Sequence, residues 1–174
     1  IVRDSLKDVR KIIYNLRPMS LDDLGLVPTV QRLIHNFQED TDMEILFKPK
    51  GSYENITPPI SLTVFRIIQE ALSNVKKHSK AKNIAINIDF KNYGVKLIIN
   101  DNGTGFDEES VKKRDAENDI KSGFGLFSMR ERVDLLGGEF TLVTKPGSGT
   151  RINIFIPLIE EEGEENGQDK SNDS

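Results

Sequence analysis

Three features of this 174-residue chain predict an α+β fold, a two-layer sandwich in which helices cover one face of a mixed, largely antiparallel sheet. Segments of helical period come in runs beside alternating, strand-like segments, without regular βαβ alternation. Neighbouring strand segments are joined by compact turn signals at Asn92–Tyr93–Gly94 and Pro146–Gly147. An apolar content of 36% is enough for one core, so one domain with appendages is expected.

At the start of the chain, Val2, Leu6, Val9, Ile13 and Leu16 step by four and three, the rhythm of a coiled-coil seam. The pattern stops at Pro18, and Ser20 is placed to cap a short following turn. About two heptads are too few for a stable coiled coil, so the segment fits best as the end of a longer helix. A helix packed on the domain's own surface is the alternative. Opening on Ile1 rather than methionine also marks the chain as a piece of a longer protein.

A second helix is expected from about Pro28 to Glu39, with Val30, Leu33, Ile34 and Phe37 inward, and a strand from Glu44 to Lys48. Thr57 and the Pro58–Pro59 pair introduce a long helix from about Ile60 to His78. Strands follow at Asn83–Phe90 and Gly94–Asn100. Asp107 to Lys121 is polar, with Val111, Ala116 and Ile120 its few apolar residues, and is expected to be a mobile loop leading into Gly123. A helix from about Phe124 to Leu136 stops at Gly137–Gly138, and strands at Glu139–Thr144 and Thr150–Pro157 close the sheet.

Composition narrows the function. Without cysteine there is no disulfide scaffold, thiolate metal site or cysteine nucleophile. No apolar run reaches membrane-spanning length, so no membrane contact is expected of this segment. The last sixteen residues, 159–174, carry seven acids against Lys170 and should be disordered. Setting aside that net −6 turns the formal −4 into +2, which gives no support to direct nucleic-acid binding.

Chemistry concentrates in three segments. In Gln69–Ser79, ordinary helical spacing puts Glu70, Asn74 and Lys77 on one face. These residues could be the wet side of a core helix, yet asparagine is a poor interior helix former, and one carboxamide oxygen suffices for Mg²⁺ beside phosphates. Asp101–Phe106 puts an acid in a glycine turn after a strand. There Asp101 can accept from an adenine amino group while Gly103 and Gly105 admit the ring. Gly123 and Gly125 open a helix whose backbone N–H groups favour an anion. Carboxamide, lysine, aspartate and glycine rim together predict a site for ATP and Mg²⁺, although neither a dinucleotide fingerprint nor a P-loop is present. The two histidines, His35 (without a flanking acid) and His78 at the end of the long helix, form no transition-metal set.

In this order the segments resemble the catalytic ATP-binding domain of histidine kinases, in the superfamily shared by gyrase, Hsp90 and MutL, whose fold is the Bergerat type. Gln69 to His78 is similar to the family's N box, Asp101 to Phe106 to its first glycine box and Ser122 to Met129 to its second. Gly147–Ser148–Gly149–Thr150 resembles the glycine–threonine element beside the adenine. Tyr14 to Val30 resembles the junction found in the subfamily that phosphorylates LuxR/NarL-type response regulators.

The resemblance implies that Asn74 coordinates Mg²⁺, Lys77 contacts phosphate, and Asp101 reads the adenine with Thr150 supporting it through water. It places His78 near the base or ribose, Leu126 in the nucleotide-binding set, and Glu70 at the superfamily's catalytic acidic position. It divides the chain into 1–24, the end of a dimerisation helix and its junction; 25–158, the ATP-binding domain; and 159–174, the acidic tail. The implied enzyme is a cytoplasmic protein histidine kinase, here without its phosphoacceptor histidine. Its partners would be its own dimerisation domain in a homodimer and a response regulator. The family's aromatic-containing F box is not evident. A hydrolase or serine kinase of the same superfamily, and a module that only binds nucleotide, are the competing readings.

Overall fold

The computed structural model describes residues 18–53, 56–109 and 124–158. The expected seam at Val2–Leu16, the loop from residue 110 onward with Gly123, and the acidic tail lie outside the described residues.

Helix α1 (Met19–Leu24) follows Pro18 directly and has no side-chain cap. Ser20 lies inside the helix instead of capping it, and its carbonyl accepts the Thr29 hydroxyl at 2.8 Å. Gly25, at φ +80°, separates α1 from α2 (Leu26–Glu39), a backbone turn that side chains with a Cβ disfavour. Helix α2 begins two residues earlier than Pro28 and buries Leu26, Val27, Val30 and Ile34.

Strand β1 (Glu44–Lys50) leads to α3 (Pro58–Asn74). Its two prolines lie within the first turn, because N–H groups there have no intrahelical acceptor to lose. Ile60, Val64, Ile67, Ile68, Ala71 and Leu72 form its buried stripe. The helix then widens into a π-helical turn, Val75–Ser79, ended by Lys80 in the left-handed conformation (φ 52°).

Strands β2 (Asn83–Lys91) and β3 (Gly94–Asp101) form the expected hairpin. Helix α4 (Phe124–Asp134) ends in a Schellman arrangement, with Gly138 N–H bonding the Val133 carbonyl and Gly137 N–H that of Asp134, at 3.0 and 2.9 Å. Strands β4 (Glu139–Thr144) and β5 (Thr150–Pro157) have the bounds expected of them.

The sheet order is β1-β2-β3-β5-β4, with β1 parallel to β2 and every other pair antiparallel. The parallel pair arises because α3 crosses over between β1 and β2. One face carries Ile84, Ile86 and Ile88 from β2, Val95, Leu97 and Ile99 from β3, and Ile152, Ile154 and Ile156 from β5, all buried. Each such side chain contributes about 1.5–3 kcal/mol relative to leaving it in water. Lys96, Asn100 and Arg151 on the alternate positions are exposed. The helices therefore cover one face, as expected of a two-layer sandwich.

Candidate nucleotide-binding site

The buried stripe of α3 and the inward residues of β3 and β5 run out together at one end of the sheet, leaving a cavity of about 230 Å³. Ala71 and Val75 line it from the helix, and Ile99 and Ile152, direct register partners, line it from the sheet. These four make an apolar surface suited to a flat ring. Thr104, Gly105 and Phe106 wall it on the loop side, and Leu126 on the side of α4.

Asp101, at the end of β3, is the polar group set into this apolar wall and is 6% exposed. Burial pushes its carboxyl above the usual carboxylate range, while the Gly103 N–H and the polar groups of neighbouring Thr150 pull it back. The Gly103 bond is 2.8 Å. Thr150 follows from the register, which pairs it directly with Asp101. Its hydroxyl lies 3.4 Å from that of Thr144, which in turn accepts Phe106 N–H at 3.1 Å. The β4–β5 turn and the loop after β3 are thus tied together around the carboxylate.

Of the expected site residues, Asn74, His78, Asp101, Gly105, Leu126 and Thr150 line the cavity. Lys77 does not line it and is exposed. The π-helical turn accounts for this: with more residues per turn, Lys77 is rotated away from the face of Asn74, while His78, four residues on, stays beside it. Glu70 lies in an adjoining crevice with Arg66, Ser128, Met129 and Arg132. Gly125 packs against it, so that a side chain there would land on the Glu70 carboxylate and within 3.4 Å of the Asn74 amide. Glu70 and Asn74 therefore both face the start of α4.

Gly103 is outside the cavity lining, and its missing Cβ makes room for the Ser79 backbone and the Asp101 carboxylate. Gly105, at φ +56°, packs against the Lys145 and Gly149 carbonyls. Both glycines are explained by close backbone approach. Sequence reasoning missed Thr104, Phe106, Ile99 and Ile152 as wall residues; the last two carried a signal in their alternation toward the core next to Asp101 and Thr150.

The donor set suits an adenine nucleotide. A nearly buried carboxylate over an apolar surface can accept from an exocyclic amino group, and the Asn74 carboxamide faces the same space. No group of three or more His, Asp or Glu able to hold a metal occurs among the described residues. A Mg²⁺ ion here would take Asn74 together with phosphate oxygens and water, its usual preference. His35 differs from expectation: Glu39, one turn along α2, lies 3.5 Å from its Nε2, and both are exposed.

Residues 60–160 match the family described as histidine kinase-, DNA gyrase B-, and HSP90-like ATPase. The chain is 41% identical to the signal transduction histidine-protein kinase/phosphatase DegS of Brevibacillus brevis over 93% of its length. It is 42% identical to DegS of Bacillus subtilis (strain 168) over 82%, and 33% identical to the sensor histidine kinase LiaS of the same organism over 97%. It spans 40%, 36% and 44% of the lengths of these three relatives. The fold is similar to the histidine kinase AdeS of Acinetobacter baumannii (TM-score 0.59, 15% identity, 78% of this chain and 64% of that one). It is also similar to the histidine kinase domain of the Erythrobacter litoralis EL346 blue-light activated histidine kinase (TM-score 0.55, 18% identity, 74% and 58%). Among the described residues, no helix is long and apolar enough to cross a membrane.

Proposed function

Because the chain belongs to the histidine kinase-, DNA gyrase B-, and HSP90-like ATPase family, we propose that its cavity holds Mg·ATP for phosphoryl transfer to a histidine. On this reading the chain is the catalytic part of a cytoplasmic sensor histidine kinase. The acceptor histidine belongs to a dimerisation domain of the same homodimer, and the phosphoryl group passes on to an aspartate of a LuxR/NarL-type response regulator. The observation that carries the proposal is the convergence of Asn74, His78, Asp101 and Thr150 on one cavity from three separate parts of the chain.

Asp101 accepts from the adenine amino group, and Thr150 supports it through water. Asn74 holds Mg²⁺, which would neutralise phosphate charge. His78 faces the base or ribose, and Lys77 reaches toward the phosphates from the exposed rim. Phosphoryl transfer asks the protein mainly for positioning and electrostatic stabilisation. The acceptor imidazole nitrogen bonds to the γ-phosphorus as the bond to the bridging oxygen breaks and ADP leaves. Glu70, in the crevice between α3 and α4, is placed to act on that acceptor or on an attacking water.

Calorimetry tests the binding step. ATP and ADP should bind more tightly with Mg²⁺ than without it, and Asn74→Ala should remove most of that difference. Outer-shell substitutions alone cost 10–100-fold in metal affinity, so losing the ligand should weaken the metal-dependent part by at least about tenfold. Absence of ATP binding with Mg²⁺ present would end the proposal. Transfer is tested separately, by incubating the chain with radiolabelled ATP and a supplied dimerisation domain. Acid-labile phosphate should appear on that domain's histidine and not on His35 or His78 of this chain. Label on His35 or His78 would overturn the assignment of the acceptor to another domain.

A further inference from the structure

We infer that Asn102, which touches neither the cavity nor the core, is the positioning residue that sets how Asp101 presents its carboxylate to the nucleotide base. The inference rests on the proposal that the cavity holds ATP. Asn102 is exposed, yet every polar atom of its side chain is engaged. Its Oδ1 accepts Lys82 N–H at 3.0 Å and Asn83 N–H at 2.9 Å, and its Nδ2 donates to Asn83 Oδ1 at 3.0 Å. Its own N–H donates to the Asn83 carbonyl at 3.2 Å. The chain entering β2 and the chain leaving β3 are thereby clamped by four hydrogen bonds through one residue.

Two consequences follow for the cavity. Gly103 comes next, and the direction of its N–H, which bonds Asp101 Oδ1, is set by the backbone that the clamp holds. Thr104 follows, with its N–H on the Ser79 carbonyl at 2.6 Å and its hydroxyl 3.4 Å from the His78 carbonyl. Through these contacts the clamp also fixes the Asp101 side of the cavity against its His78 side. Gly103 fits this arrangement because a Cβ would strike the Ser79 backbone. The clamp faces water, so N–H groups released by truncating it turn to solvent and the fold survives.

The test compares ATP and GTP binding by calorimetry in the wild type, Asn102→Ala and Asn102→Asp, with a thermal midpoint for each. Asn102→Ala should weaken ATP binding about tenfold, the equivalent of one or two lost hydrogen bonds, and lower the ATP/GTP preference by at least about threefold. Asn102→Asp keeps the oxygen that accepts the Lys82 and Asn83 N–H groups, loses only the bond to Asn83 Oδ1, and should keep most of the preference. A purely structural role predicts something else: a lower midpoint with ATP and GTP weakened alike. That outcome overturns the inference, as does Asn102→Asp losing as much preference as alanine. A wild type that prefers ATP beside an Asn102→Ala that keeps the wild-type ratio overturns it alone. A wild type that binds neither nucleotide, or binds both alike, overturns the cavity reading as well.

Discussion

Asp101→Asn is expected to weaken ATP binding by roughly 10- to 150-fold and to erase the preference for ATP over GTP while leaving the protein folded. The size corresponds to about 1.5–3 kcal/mol for a hydrogen bond to a charged group. The reason is the number of acceptors. The carboxylate already receives Gly103 N–H at 2.8 Å and has Thr150 beside it, which favours its ionised form. An amide has one accepting oxygen in place of two, so its NH₂ must face either those donors or the adenine amino group. Guanine presents a carbonyl at the same position, which the native carboxylate opposes and the amide would tolerate. Calorimetry with both nucleotides checks this, and equal affinities of wild type and variant for ATP would remove Asp101 from base recognition.

The same residue makes opposite demands on stability and binding. Burial raises the folded-state pKa of Asp101 above its unfolded value. Between those two values the folded state binds more protons, so this group's contribution to stability is fully present below the unfolded pKa and is lost as pH rises through the folded one. Above the folded pKa the ionised carboxylate is therefore a cost to the free protein. ATP recognition needs that ionised form, so acidification through the raised pKa should weaken ATP binding while this contribution to stability grows. Asp101→Asn should flatten both dependences, and the thermal midpoint of the free variant should lie within a few degrees of wild type. A steep loss of stability in the variant above the folded pKa of the wild-type group would contradict the view that burial dominates the energetics of this group.

What could be seen in advance was local. The alternation in Glu139–Thr144 and Thr150–Pro157 and the turn between them determine those strands without help from the rest of the chain. Glu44–Lys50 also shows as a strand, but its parallel pairing with Asn83–Lys91 depends on where α3 crosses the sheet, which no local pattern encodes. The start of α2 was missed at Leu26 because Gly25 reads equally well as a helix stop and as the turn that opens the next helix.

Asn74 and Asp101 were marked by their type and spacing, His78 and Thr150 by the family resemblance, and all four line the cavity. That Lys77 would stand outside the lining was not visible, because the π-helical turn leaves no mark in the apolar pattern, which continues helically through Val75. The Asn102 clamp is invisible for a different reason. An Asn–Gly pair after a strand announces a turn, but which backbone groups its side chain will bind depends on the neighbouring strand's start, twenty residues away for Lys82.

Gly149→Ala should be severely damaging to the site, and Gly147→Ala, two residues earlier in the same turn, should be mild. Both glycines have left-handed backbone angles, φ +81° at Gly147 and +73° at Gly149, so a side chain at either one costs about 1–2 kcal/mol of strain. Their surroundings differ. A Cβ at Gly147 meets nothing within 4 Å. A Cβ at Gly149 would strike the Asp101 carbonyl oxygen and come within 3.2 Å of the Asn102 Cα. Strand β3 cannot give way, because β2 and β5 hold it on both sides through Asp101 itself, paired with Ile84 and Thr150. The turn must move instead, drawing Thr150 away from Asp101 and opening the wall between Ile99 and Ile152. Collision plus strain should cost about 2–4 kcal/mol and lower the thermal midpoint by roughly 5–15 °C, with ATP binding weakened at least about tenfold. Gly147→Ala should lose no more than its strain and should bind ATP like the wild type. Thermal melts and ATP titrations of the two variants side by side decide the matter. Equal losses in both would mean that backbone conformation alone sets the requirement for glycine, and that the close approach of Gly149 to Asp101 plays no part in shaping the cavity.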